Sequence, residues 1–216
     1  MKIRSDRSQP AIVETRREPW VPSPEPGVER IMLERDGGEV AVATSLVRYA
    51  PGSHFAPHWH EMGEEFLVLE GVFEDEHGAY PKGSYVRNPW GTRHAPRSPQ
   101  GCTILVKLRQ MPQEDRLRLV EHDTDRDPPP GPVAHERALH ATRFEQVVVG
   151  WAPAGSELPW STAGNTFEVF LLEGRISDGK KELSVGTWIR DPGHSRVQWR
   201  ALDGVRYWCK RQARPE

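Results

Sequence analysis

Within residues 52–71, GSHFAPHWHEMGEEFLVLEG, His58 and His60 stand two apart and Glu64 follows four residues after His60. Alternate residues of a strand share a face, so both imidazoles point the same way, about 6.6–6.8 Å apart at the backbone. Two side chains at that separation can converge on one ion at the ~2.0–2.1 Å usual for zinc–imidazole bonds. Glu64 has the same parity. A fourth donor, His94, lies in residues 83–98, GSYVRNPWGTRHAPRS. There Pro89 and Gly91 set a turn that aims the histidine back toward the other three. Three neutral imidazoles and one carboxylate are a borderline donor set. They suit one divalent transition metal ion, with zinc, iron, manganese, nickel and copper all admissible.

The neighbouring residues offer alternatives. Glu65 competes for the carboxylate role, but its opposite parity turns it outward unless a bulge at Gly63 reverses the face. Glu64 is therefore taken as the ligand. His54 shares the parity of His58 and reads equally as a residue of the site's mouth or as a loop histidine. His77, in the turn-like DEHG, is expected to face solvent. Trp59 should point away from the ligands and pack, and Arg93, beside Trp90 at the turn, reads as a surface charge. No separate acid/base pair is visible, so no catalytic residue is assigned.

The elements that must hold these donors are short strands. Glycine (19) and proline (20) punctuate the chain, and the intervening segments are rich in Val, Leu, Phe, Tyr and Trp. Phe66–Leu69 is continuously apolar, as for a strand covered on both faces. The one helical candidate is Gln113–Glu121. Cys102 and Cys209 sit in strand-like runs, make no CxxC, and read as buried reduced thiols.

The chain also repeats itself. Gly52-Ser53 recurs as Gly155-Ser156, Leu69-Glu70-Gly71 as Leu172-Glu173-Gly174, Gly83 as Gly186, Pro89 as Pro192 and Lys107 as Lys210, always 103 residues on. A constant offset implies a duplicated domain. The expected division is an extended N-terminal segment (1–29) that wraps the first domain or frays, a metal-binding domain (30–112), a charged and proline-rich linker (113–132) and a second domain (133–216). At that offset His58, His60, Glu64 and His94 become Ser161, Ala163, Phe167 and Val197, so no second site of this kind is expected. His194 is three residues off register. Trp151, Trp160, Trp188, Trp199 and Trp208 are expected to pack the second copy.

These segments resemble the two cupin motifs. Gly52, His58, His60, Glu64 and Gly71 occupy every fixed position of G-x5-H-x-H-x3-E-x6-G. Gly83, Pro89, Gly91 and His94 fit G-x5-P-x-G-x2-H-x3-N, with Ser98 in place of the asparagine, which is not a ligand. RYAPGS, HEMGEEFLVLEGVFEDEHGAYPKGSYVRNP and GCTILVKL are similar, more narrowly, to ChrR-type cupins. The resemblance covers about residues 20–112 and, more faintly, the second half. It implies an all-β bicupin of two tandem jelly-roll (double-stranded β-helix) barrels, with metal on His58, His60, Glu64 and His94.

A net charge of −2, from 29 basic and 31 acidic residues, argues against nucleic-acid binding. No run approaches the ~18 apolar residues of a membrane span. The polar N-terminus points to the cytoplasm. The resemblance implies a small-molecule or stress-responsive binding or regulatory protein like the cupin domain of ChrR-type anti-sigma factors. Sigma-factor binding is in doubt, because those proteins grip the sigma factor with a helical zinc domain and this sequence shows none. The alternative is a metal-dependent dioxygenase for a small diketone-like substrate. A homodimer is compatible with either.

Overall fold

The structure, a computed structural model, describes residues 1–122, 124, 126, 132–161, 166–193 and 197–212. Frequent turn residues cut the chain into strands too short to do anything but pair. Among the described residues there is no α-helix, only 3₁₀ turns at Thr15–Arg17 and Pro159–Ser161. The first half runs β1 (Lys2–Ile3), β2 (Ala11–Glu14), β3 (Val21–Pro22), β4 (Val28–Gly37), β5 (Ala41–Tyr49), β6 (Ser53–His54) and β7 (His58–Trp59). It continues through β8 (Glu64–Asp75), β9 (Gly78–Pro81), β10 (Tyr85–Asn88), β11 (Arg93–His94), β12 (Arg97–Ser98), β13 (Cys102–Leu108) and β14 (Leu119–Glu121). The second half contains β15 (His135–Ala141), β16 (Glu145–Ala152), β17 (Thr166–Glu173), β18 (Arg175–Ser177), β19 (Glu182–Ser184), β20 (Thr187–Asp191), β21 (Arg200–Ala201) and β22 (Val205–Gln212).

Two compact units result, residues 1–5 with 19–126 and residues 6–18 with 127–216. In the first, the strand order is β1-β4-β5-β13-β8-β10-β14, with β7 and β11 as a separate pair. In the second it is β15-β16-β22-β17-β20-β2. The repeat survives to the residue: Lys107 pairs with Glu65, and Lys210 with Glu168.

Two expectations are corrected. Gln113–Glu121 is not a helix. Arg87, fully buried on β10, donates to both carboxylate oxygens of Asp115 (3.0 and 2.6 Å) and to the Leu117 carbonyl, and β14 then joins the exposed edge of β10. A buried guanidinium must be paired, and that demand outweighs a weak helical preference. Residues 113–126 thereby belong to the first unit. The N-terminal segment neither wraps the first domain throughout nor frays. Residues 6–18 belong to the second unit, where β2 pairs with β20 from Ala11↔Arg190 to Glu14↔Thr187. Arg190 is 103 residues beyond Arg87 and grips this strand's approach in the same way, donating to the carbonyls of Asp6 and Gln9. The three prolines of the expected linker, 128–130, lie outside the described residues.

Candidate metal centre

Three devices bring the donors together. The β7–β11 pair sets His94 opposite His58 and Arg93 opposite Trp59. The Pro89 turn closes through Thr92 N–H to the Pro89 carbonyl, and its backbone is tied to His60 in both directions: Gly91 N–H to the His60 carbonyl (3.1 Å) and His60 N–H to the Thr92 carbonyl (2.9 Å). The bend before Glu64 has two consecutive left-handed residues, Met62 (φ 59°) and Gly63 (φ 75°). Arg109 and Met111 hold it by donating to the Gly63 and Met62 carbonyls, both at 2.9 Å. Any side chain at position 63 would run into Met111 at 2.5 Å, so glycine is required there by both φ and space.

The result is a cluster in which one donor atom from each of His58, His60, Glu64 and His94 lies within 4.8 Å of every other. The three rings stand edge-on to one another, with centroids 4.5–5.3 Å apart. His60, Glu64 and His94 are buried and His58 is half-buried.

The outer nitrogen of every ring is taken. His60 Nδ1 meets Thr92 Oγ1 at 2.9 Å, and that hydroxyl already donates to the Pro89 carbonyl, so Nδ1 must carry the proton. His58 Nδ1 faces the Ala56 carbonyl, an acceptor only (3.1 Å). His94 Nδ1 faces Asp75 Oδ2 (3.0 Å). In their neutral form all three rings therefore turn an unprotonated Nε2 inward. His60 Nε2, His94 Nε2 and Glu64 Oε1 are buried and hydrogen-bonded to nothing, though Glu64 Oε1 lies only 3.5 and 3.4 Å from the two nitrogens. Convergent lone pairs left without donors are costly unless something positive sits among them. A divalent cation fits this donor set, and the outer hydrogen bonds are those that orient ligating imidazoles.

Asp75 is the residue that motif reading missed. It lies at the far end of β8, buried, and accepts from His94, from the His77 amide (2.8 Å) and from the Tyr80 hydroxyl (3.1 Å). Burial alone would raise its pKa, but the bonds from His94 and the His77 amide outweigh it and the carboxyl is held below its usual range. Burial likewise pushes His60 down, against the pull of Glu64. For His94 burial opposes the charge, but the Asp75 bond and Glu64 prevail and the pKa is raised.

Glu65 faces away from the cluster, as parity requires. It is nevertheless buried, receiving the Tyr85 hydroxyl at 2.6 Å. His54 and His77 are exposed. Trp59, expected to pack, is 64% exposed, with the Arg93 guanidinium 5.7 Å from its ring. Ser98 is fully buried and donates to the Val72 carbonyl (2.6 Å), a structural contact. Both cysteines are buried free thiols.

A cavity of about 420 Å³ opens beside the cluster. His58, His60 and Glu64 line one end, Tyr49, Phe55, Phe73, Ile104 and Val106 the middle. The second unit differs here. Of the four corresponding positions, Phe167 is buried and Val197 exposed; Ala163, the side chain of Ser161, and His194 lie outside the described residues. Trp151, Trp160, Trp188, Trp199 and Trp208 are all buried.

Residues 8–112 match the family model described as ChrR Cupin-like domain. Over that span the chain is similar to ChrR-type cupins. The matched span starts in the segment that contributes β2 to the second unit. No curated protein matches the chain by sequence. Solved structures resemble nearly all of it. A candidate dioxygenase from Nostoc punctiforme is 16% identical with TM-score 0.75, covering 95% of this chain and 83% of its own. The bacterial pirin YhhW of Escherichia coli, in complex with nickel(II), is 12% identical with TM-score 0.71, covering 96% and 100%. A salicylate 1,2-dioxygenase from Pseudaminobacter salicylatoxidans is 11% identical with TM-score 0.60, covering 96% and 84%. At these identities the likeness is one of fold. Among the described residues no helix is long and apolar enough to cross a membrane.

Proposed function

We propose that this protein is a bicupin, two barrels in tandem, whose first barrel binds one divalent transition metal on His58, His60, Glu64 and His94 and receives a small oxygenated molecule beside it. The observation that carries this reading is the set of orphaned, buried donor atoms facing a cavity of small-molecule size. A bound metal would supply Lewis acidity toward a ligand's oxygens and, if it were iron, dioxygen chemistry. The chain's own residues do the rest. Thr92, Asp75 and the Ala56 carbonyl hold each imidazole in its binding tautomer, Glu64 balances charge, and the apolar walls exclude water. The role is binding, with a regulatory readout.

A second reading, a dioxygenase acting on a diketone-like substrate, is favoured by the cavity's opening onto the ligand cluster. A purely structural zinc site would be closed by its four protein ligands. The test is metal analysis after anaerobic purification, followed by the metal's absorption spectrum and oxygen uptake with acetylacetone. One metal per chain and a spectrum perturbed by the diketone are expected. Oxygen uptake in addition would make the protein an enzyme. Stoichiometric metal blind to every oxygenated ligand would reduce the site to a structural one.

A further inference from the structure

The cavity has a second charged end. β4 carries a bulge: its register with β5 shifts between Met32 and Glu34, leaving Leu33 unpaired. The extra residue flips parity, so that Arg30 (opposite Val47), Met32 (opposite Ser45) and Arg35 (opposite Ala43) all share one face. Arg30 and Arg35 both line the cavity. Arg35, Ala43, Leu108 and Glu64 form one continuous rung across β4, β5, β13 and β8. Three strand spacings, about 14 Å of backbone, therefore separate the metal-ligand strand from the arginine strand, with apolar wall between.

Arg30 is held in a way that invites exchange. Its two terminal nitrogens bind both oxygens of Glu39 at 3.1–3.3 Å, and the Glu39 side chain is 64% exposed. Arg30 itself is mostly buried, but the Glu39 carboxylate is exposed and can turn back into water, so another carboxylate can take its place on the guanidinium. Its Nε is buried without a partner, a donor left over for a ligand. Arg35, buried, anchors the hairpin by donating to the Gly38 and Glu39 carbonyls. The remaining cation of the lining, Arg109, is occupied by Glu61 at 2.7 Å. The second unit lacks this feature. The residue opposite Gly150, the counterpart of Val47, is Glu136, and the residue opposite Gln146, the counterpart of Ala43, is Ala141. The arginine pair thus has no counterpart at these two positions of the second unit.

We propose that Arg30, steadied by Arg35, is a carboxylate-recognition subsite, and that the ligand of this cupin is a small organic acid. Its oxygenated end meets the metal, its apolar body lies against Ile104 and Val106, and its carboxylate displaces Glu39 from Arg30. This rests on the reading of the metal centre given above.

The probe is succinylacetone, a β-diketone with a carboxylate at its far end, compared with its methyl ester. Both are titrated into metal-loaded protein by absorption and by calorimetry. The acid should bind at least about tenfold tighter than the ester, the worth of one charge-assisted hydrogen bond. Arg30→Gln should erase that difference while leaving ester affinity unchanged. Glu39→Gln, at an exposed position that folding does not depend on, should strengthen acid binding by severalfold. Equal affinities of acid and ester in the unaltered protein, or no response to Glu39→Gln, would overturn the subsite and leave the metal reading intact. Failure of both ligands to perturb the metal would overturn the metal reading and this inference with it.

Discussion

The two units share a strand order and a register, and differ most on their inner faces. On the face away from the ligand cluster, Arg87–Glu65–Lys107 lie side by side across β10, β8 and β13, and Arg190–Glu168–Lys210 repeat them across β20, β17 and β22. All six are buried. Lys107 reaches Thr44 Oγ1 (2.9 Å), which donates to Glu34 (3.0 Å), and Lys210 reaches Glu145 (2.8 Å). On the inner face, Val47 and Ile104, paired across β5 and β13, become Gly150 and Tyr207, paired across β16 and β22. The Tyr207 ring takes the space that a side chain at 150 would need, stacks edge-on against Trp160 at 4.2 Å and donates its hydroxyl to Glu136 (2.9 Å). Buried charges hold both frameworks, because removing one member strands the others. The inner face is free to hold ligands in one unit and aromatic rings in the other.

The strongest challenge to this contrast is His60→Ala, which should take the metal content from one per chain to none. Retention of one metal would show that the second unit, or another donor set, binds it. Next is Trp160→Ala. If the second unit is a filled copy, opening it should cost about 3–5 kcal/mol in denaturant unfolding and leave metal stoichiometry untouched. A gain of ligand binding there would show that the aromatics hide a site rather than replace one. Asp75→Asn should weaken metal affinity by about 10–100-fold with the fold retained. An affinity equal to the unaltered protein's would mean that Asp75 does not orient His94. The smallest contrast concerns the thiols. Burial pushes Cys102 to about 11 and Cys209 to about 12. Only the thiolate reacts, so both should resist alkylation at pH 8 until unfolding. Rapid labelling of native protein at either position would place that thiol on the surface.

Much of the centre was legible because its chemistry is local. Spacing and parity alone put His58, His60 and Glu64 on one face, and the Pro89 turn announced His94. What escaped depends on partners distant in sequence. Asp75 belongs to no motif, and only the fold of β8 brings it to His94. Arg30 and Arg35 differ by an odd number of residues, so alternation puts them on opposite faces until a bulge, unmarked in sequence, is known. The failed helix at Gln113–Glu121 was decided by Arg87, a residue on another strand. The resemblance to cupins supplied the fold class, and the strand-built structure with its likeness to solved cupin structures bears out the all-β, cupin-like part of it. Neither could have placed residues 6–18.

That placement bears on how the protein is made. Thr15 donates from its backbone amide and its hydroxyl to the Gly186 carbonyl, 171 residues later. During synthesis β2 emerges among the first strands, while β20 is among the last. β2 must wait, unpaired and open to wrong partners, until β20 has been translated. The slow step of maturation should then be the capture of this waiting strand. Deleting residues 6–18 should leave the first unit's folding intact and damage the second.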